Sequence, residues 1–309
     1  MRVKLVFAGT PKIALPVFEA LIASRHEVVA VVTRPDAPAG RGRRLEASPV
    51  AKRAAELDIE ILKPSKASDS DFQDRLKQLE PDCCPVVAYG AILPEAALVI
   101  PKHGWVNLHF SVLPAWRGAA PVQRSIMAGD EVTGASVFRI VAELDAGPIF
   151  GLLTERIRDT DTAADLLERL AQHGAGLLVD ALDHIEDGDI AAHPQPEQGL
   201  SYARKLAASD ARVDWTRPAF AIDRQIRGCT PAPGAWTMVN GERFKLGPVV
   251  IGVESTLDPG QIAISKKAVA VGTATTDVIL GEIQPHGKKP MTAADWGRGV
   301  TLEDGAGFE

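Results

Sequence analysis

The chain has 309 residues and a formal net charge of −6, and 46% of its residues are hydrophobic. A chain of this length and apolar content can bury a sizeable core and is long enough for two domains. Its three cysteines, Cys83, Cys84 and Cys229, are too few for a disulfide framework, and the lack of CxxC and HExxH spacings argues against a metal site. Neither a signal-peptide pattern nor a run of eighteen apolar residues occurs, so we expect a cytoplasmic protein without membrane attachment.

Strand and helix patterns alternate through the first 150 residues. Buried apolar runs predict strands at 3–8, 28–33, 59–62, 83–88 and 105–109, and helical spacing predicts helices at 13–23, 49–57 and 69–79. This order predicts an α/β fold with a doubly wound, mostly parallel, Rossmann-like sheet that binds ligands at the carboxyl ends of its strands. A dinucleotide site is not expected, because only Gly9 of a GxGxxG motif follows the first strand.

A basic segment lies between the second strand and the following helix. Residues 34–45 are rich in proline and glycine, which predicts a loop. Residues 34–53, which include this loop, contain two acidic side chains, Asp36 and Glu46, and six basic ones: Arg34, Arg41, Arg43, Arg44, Lys52 and Arg53. Such a loop could clamp a polyanion backbone or could be solvated surface, and composition alone does not decide between them.

The most informative polar residues follow the strand at 105–109. Asn107 and His109 are two residues apart and therefore project from one side of that strand, at its carboxyl end. Asp145, on a glycine-containing loop after a later strand, could reach the imidazole, orient it and favour its cationic form. An amide, an imidazolium and a carboxylate together suit attack on a carbonyl carbon. The alternative is that all three are structural residues and that Asp-Ala-Gly is an ordinary turn.

The rest of the chain predicts a second domain. A turn and helix follow residue 115, and strands are predicted at 133–141 and 149–157 with a long helix at 162–185. Residues 187–200 are polar and proline-rich, typical of a linker. A helix at 218–227 precedes strand patterns at 236–240, 244–250, 261–265, 268–273 and 276–284, which predict a small C-terminal β-barrel of the oligonucleotide-binding (OB-like) kind. We therefore predict a catalytic domain at 1–187, a linker at 188–203 and a barrel domain at 204–309.

The positive charge is concentrated in this second domain. Residues 201–302 contain thirteen Lys/Arg and nine Asp/Glu, a net charge of +4, although the whole chain carries −6. The asymmetry favours an RNA partner, while a simple packing module remains the alternative.

Several segments together resemble the methionyl-tRNA formyltransferase family within the folate-dependent formyltransferases. The resemblance runs from residue 6 to about residue 296, and its segments are VFAGTP at 6–11, PAGRG at 38–42, VVAYG at 86–90, WRGAAP at 116–121, LDAG at 144–147, YARKL at 202–206 and GKK at 287–289. The Asn-x-His and Asp-x-Gly pair is common to folate-dependent formyltransferases. The arginine loop and the C-terminal barrel narrow the substrate to initiator methionyl-tRNA.

The resemblance implies a role for particular residues. Asn107, His109 and Asp145 match the catalytic trio. The implied folate-binding residues are Ser111, Val112, Leu113, Pro114, Tyr89, Gly90 and Ile92, and the implied tRNA-binding residues are Arg41, Arg43, Arg44 and Lys205. Phe110 and Val112 depart from the family pattern, which usually has a small residue and a leucine at these positions.

The resemblance also implies substrates and partners. We expect 10-formyltetrahydrofolate as formyl donor, initiator methionyl-tRNA as acceptor for translation initiation, no metal, no membrane and a monomeric chain. The alternatives are a folate-dependent formyltransferase or hydrolase acting on another amine, and a non-catalytic RNA-binding relative.

Overall fold

The computed structural model describes residues 2–39, 44–301 and 307–309. The chain forms two compact units. The first comprises Met1–Gly118, Val132–Arg156 and Leu167–Tyr202, and the second comprises Ala119–Glu131, Ile157–Leu166 and Ala203–Glu309. Within the described ranges, no helix has both the length and the apolar character that crossing a bilayer requires.

The strands and helices follow the chain in this order. The strands are β1 (Lys4–Gly9), β2 (Glu27–Val32), β3 (Ala37–Ala39), β4 (Arg44–Glu46), β5 (Glu60–Leu62), β6 (Cys84–Val87), β7 (Trp105–His109), β8 (Val132–Arg139), β9 (Ile149–Arg156), β10 (Trp236–Val239), β11 (Glu242–Leu246), β12 (Val249–Ile251), β13 (Ile262–Ile264), β14 (Val269–Val271), β15 (Val278–Leu280), β16 (Glu282–Gln284) and β17 (Met291–Thr292). The helices are α1 (Leu15–Ala23), α2 (Pro49–Glu56), α3 (Ser70–Leu79), α4 (Glu95–Leu98), α5 (Pro121–Ala128), α6 (Ala163–Asp187), α7 (Ala219–Cys229) and α8 (Ala293–Gly299), with single 3-10 turns at Lys12–Ala14 and Ser209–Ala211.

A seven-stranded sheet lies at the centre of the first unit, in the order β5-β2-β1-β6-β7-β8-β9. The first five of these strands pair in parallel, and β8 and β9 add antiparallel. The inner strands β1 and β6 are almost wholly buried, as expected for parallel strands covered on both faces. The strand order reverses between β1 and β6, and sheets of this type bind ligands at the carboxyl ends of strands near that point. The predicted Rossmann-like sheet is confirmed.

Helix α2 begins where the sequence predicts. The Oγ atom of Ser48 accepts the N–H of Ala51 at 3.0 Å, and Pro49 is the first helical residue. A side-chain cap of this kind contributes about 1 kcal/mol, and proline at the first helical position loses no helical hydrogen bond. The cap therefore fixes the point beside β2 at which the basic segment ends and α2 begins.

The second unit contains two antiparallel sheets, β10-β11-β16-β17 and β12-β15-β14-β13. Chain bends join the sheets, because β11 continues into β12 through Gly247 and β15 continues into β16 through Gly281. Both bends need glycine, since a Cβ at Gly247 would lie 2.8 Å from the Glu282 carbonyl and one at Gly281 would lie 2.5 Å from the Pro248 carbonyl. Strands that pass between sheets at glycine bends enclose one core, here built around Trp215, Phe244 and Phe308. An antiparallel C-terminal β unit of this kind is the fold class that we predicted.

Several local predictions differ from the structure. The predicted strands 244–250 and 276–284 are each broken at the glycine bends. The segment predicted as a loop contains β3 and β4, which pair antiparallel with Ala37 opposite Glu46. Helices α4 and α8 were not predicted, because each has too few residues to show helical periodicity.

Candidate active site

Strand β7 presents Asn107 and His109 at the carboxyl edge of the sheet. The strand is paired on both sides, with Asn107 opposite Val86 on β6 and Phe138 on β8, and with His109 opposite Ser136. Asn107 is half-buried, and its side-chain amide makes no hydrogen bond to any residue that the structure describes. The backbone is therefore fixed by the sheet, while the amide can still donate to a ligand.

His109 is held between two loops. Its imidazole is 6% exposed and lies edge-on to Phe138, with 6.3 Å between the ring centroids. The Nε2 atom is 2.9 Å from the carbonyl oxygen of Trp116, and the Nδ1 atom is 3.8 Å from Oδ2 of Asp145. Because a carbonyl can only accept, Nε2 carries the hydrogen and donates it. In the neutral ring, Nδ1 is then an unprotonated base that faces a carboxylate.

Burial and the neighbouring carboxylate act in opposite directions on the pKa of His109. Burial lowers the pKa of His109 below its ordinary value of 6.5, although the Asp145 carboxylate and the Trp116 carbonyl act in the opposite direction. Asp145 does favour the cation, as predicted, but the loss of solvation outweighs it. The pKa of His109 therefore lies below its ordinary value in the folded chain, which favours the neutral ring near pH 7.

Asp145 occupies a strained loop position. Its φ is +49°, in the left-handed region that non-glycine residues seldom adopt. Its Oδ2 atom accepts the N–H of Gly118 at 2.8 Å, and its carbonyl accepts from Nε2 of Gln195 at 2.7 Å. Gly147 allows the loop to lie directly against Arg139, because a Cβ there would overlap the Arg139 carbonyl. The carboxylate is thus aimed at the His109 ring by contacts from several distant segments.

The predicted folate segment after β7 is mostly buried. Ser111 is fully buried and donates to the Ala115 carbonyl at 2.6 Å, while its own carbonyl accepts from Ser136. Leu113 and Pro114 are also buried, and Val112 is half-buried. These side chains fix the loop that follows His109, so any ligand contact here involves its backbone or Val112.

The other predicted folate residues follow β6, the neighbouring parallel strand. Tyr89 belongs to the core of the sheet, burial raises the pKa of its hydroxyl, and its carbonyl accepts from Thr10 at 2.8 Å. Gly90 has a φ of +82°, and the Ile92 side chain is 90% exposed. Only Ile92 among these presents an accessible apolar side chain, whereas Tyr89 is buried.

The predicted tRNA residues are distributed over both units. Arg41 and Arg43 lie outside the described residues. Arg44 is exposed on β4, and Lys205 is exposed in the second unit. Neither forms an ion pair with any residue that the structure describes.

A resident metal or reactive thiol has no support in the described ranges. No group of three or more His, Cys, Asp or Glu side chains there is arranged to hold a metal ion. All three cysteines are buried, and burial raises the pKa of Cys83 to about 12 and that of Cys229 to about 11. Thiols in such surroundings stay protonated and unreactive.

Sequence reasoning missed three residues of the site. The Trp116 carbonyl binds His109, while Gln195 and Ser201 bind the loops on either side. Trp116 belongs to a segment that carries the family resemblance, but the sequence assigns it no role. Gln195 and Ser201 lie in the segment predicted only as a linker. No local pattern identifies Gln195 and Ser201, because their side chains bind residues 48 to 85 positions away.

Comparison with known proteins agrees with this fold. The sequence model described as formyl transferase matches residues 1–182, and that of the formyl transferase C-terminal domain matches residues 205–301. A methionyl-tRNA formyltransferase from a Nocardioides species is 65% identical over 98% of this chain and 96% of its own length. That of Thermobifida fusca is 61% identical over 99% of both chains.

Solved structures share the fold at much lower identity. An N-formyltransferase from Helicobacter canadensis, solved with folinic acid and dTDP-3-aminofucose, has a TM-score of 0.69 and 17% identity, covering 92% of this chain and 100% of its own. HypX from Aquifex aeolicus, solved with tetrahydrofolic acid, has a TM-score of 0.68 and 18% identity, covering 95% of this chain and 46% of its own. At these identities the likeness shows the fold alone.

Proposed function

The chain belongs to the methionyl-tRNA formyltransferase family, and from this we infer that it transfers a formyl group from 10-formyltetrahydrofolate to the α-amine of methionyl-initiator tRNA. The observation that carries this function is the placement of His109 between the Trp116 carbonyl and the Asp145 carboxylate, on the same strand end as the Asn107 amide, which has no hydrogen-bond partner among the described residues. That arrangement offers an oxyanion donor and a proton acceptor at one edge of the sheet, which is what formyl transfer between two nitrogens requires.

Asn107 supplies the oxyanion contact in the mechanism that we propose. The neutral α-amine attacks the formyl carbon, a C–N bond forms, and the formyl oxygen gains negative charge. The side-chain N–H of Asn107 donates to that oxygen, and because the sheet fixes β7, the donor needs little reorganisation during the reaction.

His109 accepts the proton that the attacking amine loses, and Asp145 stabilises the resulting cation. The neutral ring takes a proton from the attacking amine at Nδ1, and the resulting imidazolium faces the Asp145 carboxylate. Its positive charge then assists Asn107 in stabilising the oxyanion. As the bond between the formyl carbon and N10 breaks, the proton passes to N10, which leaves as tetrahydrofolate.

The donor is proposed to lie along the carboxyl ends of β6 and β7. The Ile92 side chain and Val112 offer apolar contact there, Gly90 leaves room for close approach of a ligand to the backbone, and the buried loop 111–114 keeps the edge rigid. Mostly apolar walls with a few fixed polar groups are typical of small-molecule sites.

The acceptor is proposed to bind through cations. Arg41, Arg43, Arg44 and Lys205 would contact phosphates of the tRNA, and such contacts release counterions, so formylation should weaken steeply as salt rises. Arg41→Ala and Lys205→Ala should lower kcat/KM for charged tRNA and leave the KM for the folate donor unchanged. Lys267→Ala, an exposed lysine beyond β13, is the matched control. Unchanged use of tRNA by both variants would reject these contacts.

One assay tests the function as a whole. Purified protein is incubated with 10-formyltetrahydrofolate and either methionyl-initiator tRNA, a sugar amine or no acceptor, and the products are identified by mass spectrometry. We expect formylmethionyl-tRNA in the first reaction alone. Formylated sugar, or formate released without an acceptor, would replace this function with one of the alternatives, and no product at all would support a non-catalytic relative.

We propose that the protein acts as a monomer in the cytoplasm, where charged tRNA is used. A single chain contributes Asn107, His109 and Asp145, so the site needs no residue from a second copy. Sedimentation of the active protein at one chain mass would support this, and a stable dimer would reject it.

A further inference from the structure

The segment that the sequence predicts as a linker is bound to both loops that flank His109. We call residues 193–202 the strap. It lies wholly within the first unit, and its hydrogen bonds reach the loop of Asp145 on one side and the loop of Trp116 on the other. A passive linker would not need contacts to the two groups that hold the imidazole.

Gln195 binds the Asp145 loop through its amide nitrogen and Arg117 through its amide oxygen. The Nε2 atom donates to the carbonyls of Asp145 at 2.7 Å and Gly147 at 2.8 Å. The Oε1 atom accepts from Nε and Nη2 of Arg117 at 3.0 and 2.8 Å. Just before it, the backbone of His193 exchanges two 2.8 Å hydrogen bonds with Ile149, at the start of β9.

Ser201 binds the Trp116 side. Its Oγ atom accepts the N–H of Trp116 at 2.9 Å, and its carbonyl accepts the N–H of Arg117 at 2.9 Å. The carbonyl of that same Trp116 receives the Nε2 hydrogen of His109. The strap therefore fixes the peptide that orients the ring on one side and the loop that carries its carboxylate partner on the other.

The backbone at both contact points requires such support. Trp116 has a φ of +62° and Asp145 a φ of +49°. Left-handed conformations of non-glycine residues cost free energy and persist only where the surrounding structure over-determines them. Arg117, 8% exposed and bound to Gln195 and Glu143, ties the two loops together.

We propose that the strap is a positioning element of the active site, in which Gln195 sets the Asp145 carboxylate and Ser201 sets the Trp116 carbonyl on either side of His109. This proposal rests on the proposed function, because it assumes that His109 and Asp145 act in formyl transfer. In this role both strap residues act through the groups that hold the imidazole.

The test exchanges one atom of Gln195. Gln195→Glu keeps the shape and gives Arg117 a carboxylate, but it places an oxygen without hydrogen against the carbonyls of Asp145 and Gly147. We expect kcat to fall about 10- to 100-fold, the range of a misplaced acid-base group. The KM values for donor and tRNA should stay within about twofold, and the melting temperature should stay close to wild type. Gln198→Glu, the same change at an exposed strap residue without a side-chain hydrogen bond to the described residues, should behave as wild type.

A double-mutant comparison separates this proposal from the proposed function. If Gln195 acts through Asp145, Gln195→Glu should lower kcat much less in an Asp145→Asn background than in the wild type. Two results would reject the positioning role of the strap without affecting the active-site assignment. One is an equal loss of kcat in both backgrounds, and the other is a wild-type kcat for Gln195→Glu when Asp145→Asn is inactive. Wild-type kcat in Asp145→Asn itself would overturn the active-site assignment.

Ser201→Ala tests the contact of the strap with Trp116, and it provides the test if Gln195→Glu does not fold. Removing the hydroxyl leaves the Ser201 carbonyl in place and frees the N–H of Trp116. We expect a drop in kcat of about 3- to 10-fold, with a shifted pH dependence of kcat because the carbonyl contact with His109 changes. Loss of thermal stability with unchanged kcat and unchanged pH dependence would show a merely structural role and overturn the proposal.

Discussion

The site has a strand half and a loop half, and the two are held in different ways. Asn107 and His109 lie on β7, whose backbone is paired on both sides within the sheet. Asp145 and Trp116 lie on loops with positive φ, held by hydrogen bonds from residues 27 to 85 positions away. The strand half is positioned by the fold itself, whereas the loop half depends on a few replaceable contacts. Changes in the two halves should therefore have different consequences.

The largest effect is expected for Asn107→Ala. Its amide has no hydrogen-bond partner among the described residues, so removal leaves no buried group unsatisfied and should not change the melting temperature. Loss of one oxyanion donor lowers turnover about 10²- to 10³-fold. The measurement is kcat with saturating donor and charged tRNA, beside a thermal melt. A kcat near wild type would remove Asn107 from the oxyanion site.

A smaller effect is expected for Asp145→Asn. The amide oxygen can still accept the N–H of Gly118, so the loop should keep its conformation, but the charge that stabilises a protonated His109 is lost. We expect kcat to fall by about 10²-fold, the lower end of what a positioned acid-base group contributes. Steady-state kinetics at several pH values measure it. Full activity at every pH would show that the carboxylate is only a loop anchor.

Two glycines compare the halves directly. A Cβ at Gly134 on β8 would overlap the Leu153 carbonyl, and one at Gly147 in the Asp145 loop would overlap the Arg139 carbonyl. The sheet cannot yield easily, so Gly134→Ala should cost about 1 to 3 kcal/mol of unfolding free energy with modest loss of activity. The loop can move, so Gly147→Ala should lower kcat about tenfold with the smaller loss of stability. The opposite ranking, measured by thermal melts and kinetics, would contradict the division into two halves.

The sequence predicted the strand half better than the loop half. The predicted bounds of β7 match those observed, because apolar periodicity and the turn at Gly104 are local signals. Asp145 was found through its Asp-Ala-Gly turn, but the sequence carries no sign that Gln195 binds that loop from 50 residues away. Likewise, Gly247 and Gly281 bend predicted strands where a distant backbone carbonyl passes close to each of them.

The protonation state of His109 could not be predicted from the sequence either. Proximity of Asp145 to His109 predicted a raised pKa, and that contribution has the expected sign. How completely the ring loses water depends on Phe138 and on the loop from Phe110 to Trp116, which close around it only in the folded chain. Burial, rather than the neighbouring charge, therefore decides the protonation state.

The smallest expected effect is a shift in the pKa of His109, and it tests most directly how the loop half acts on the strand half. Since burial lowers its pKa, the ring in the folded chain should be neutral through a pH range in which an unfolded histidine, with a pKa of 6.5, is charged. Stability should accordingly fall as the pH drops below 6.5, because the unfolded state then binds the proton that the folded state refuses. Asp145 is the charged group facing the ring within the described residues, so Asp145→Asn should lower the pKa of His109 further. Nitrogen-15 NMR of the imidazole measures both values and also reports the Nε2–H form. A pKa above 6.5 in the wild type, or one that rises in Asp145→Asn, would show that the loop does not act on the strand in this way.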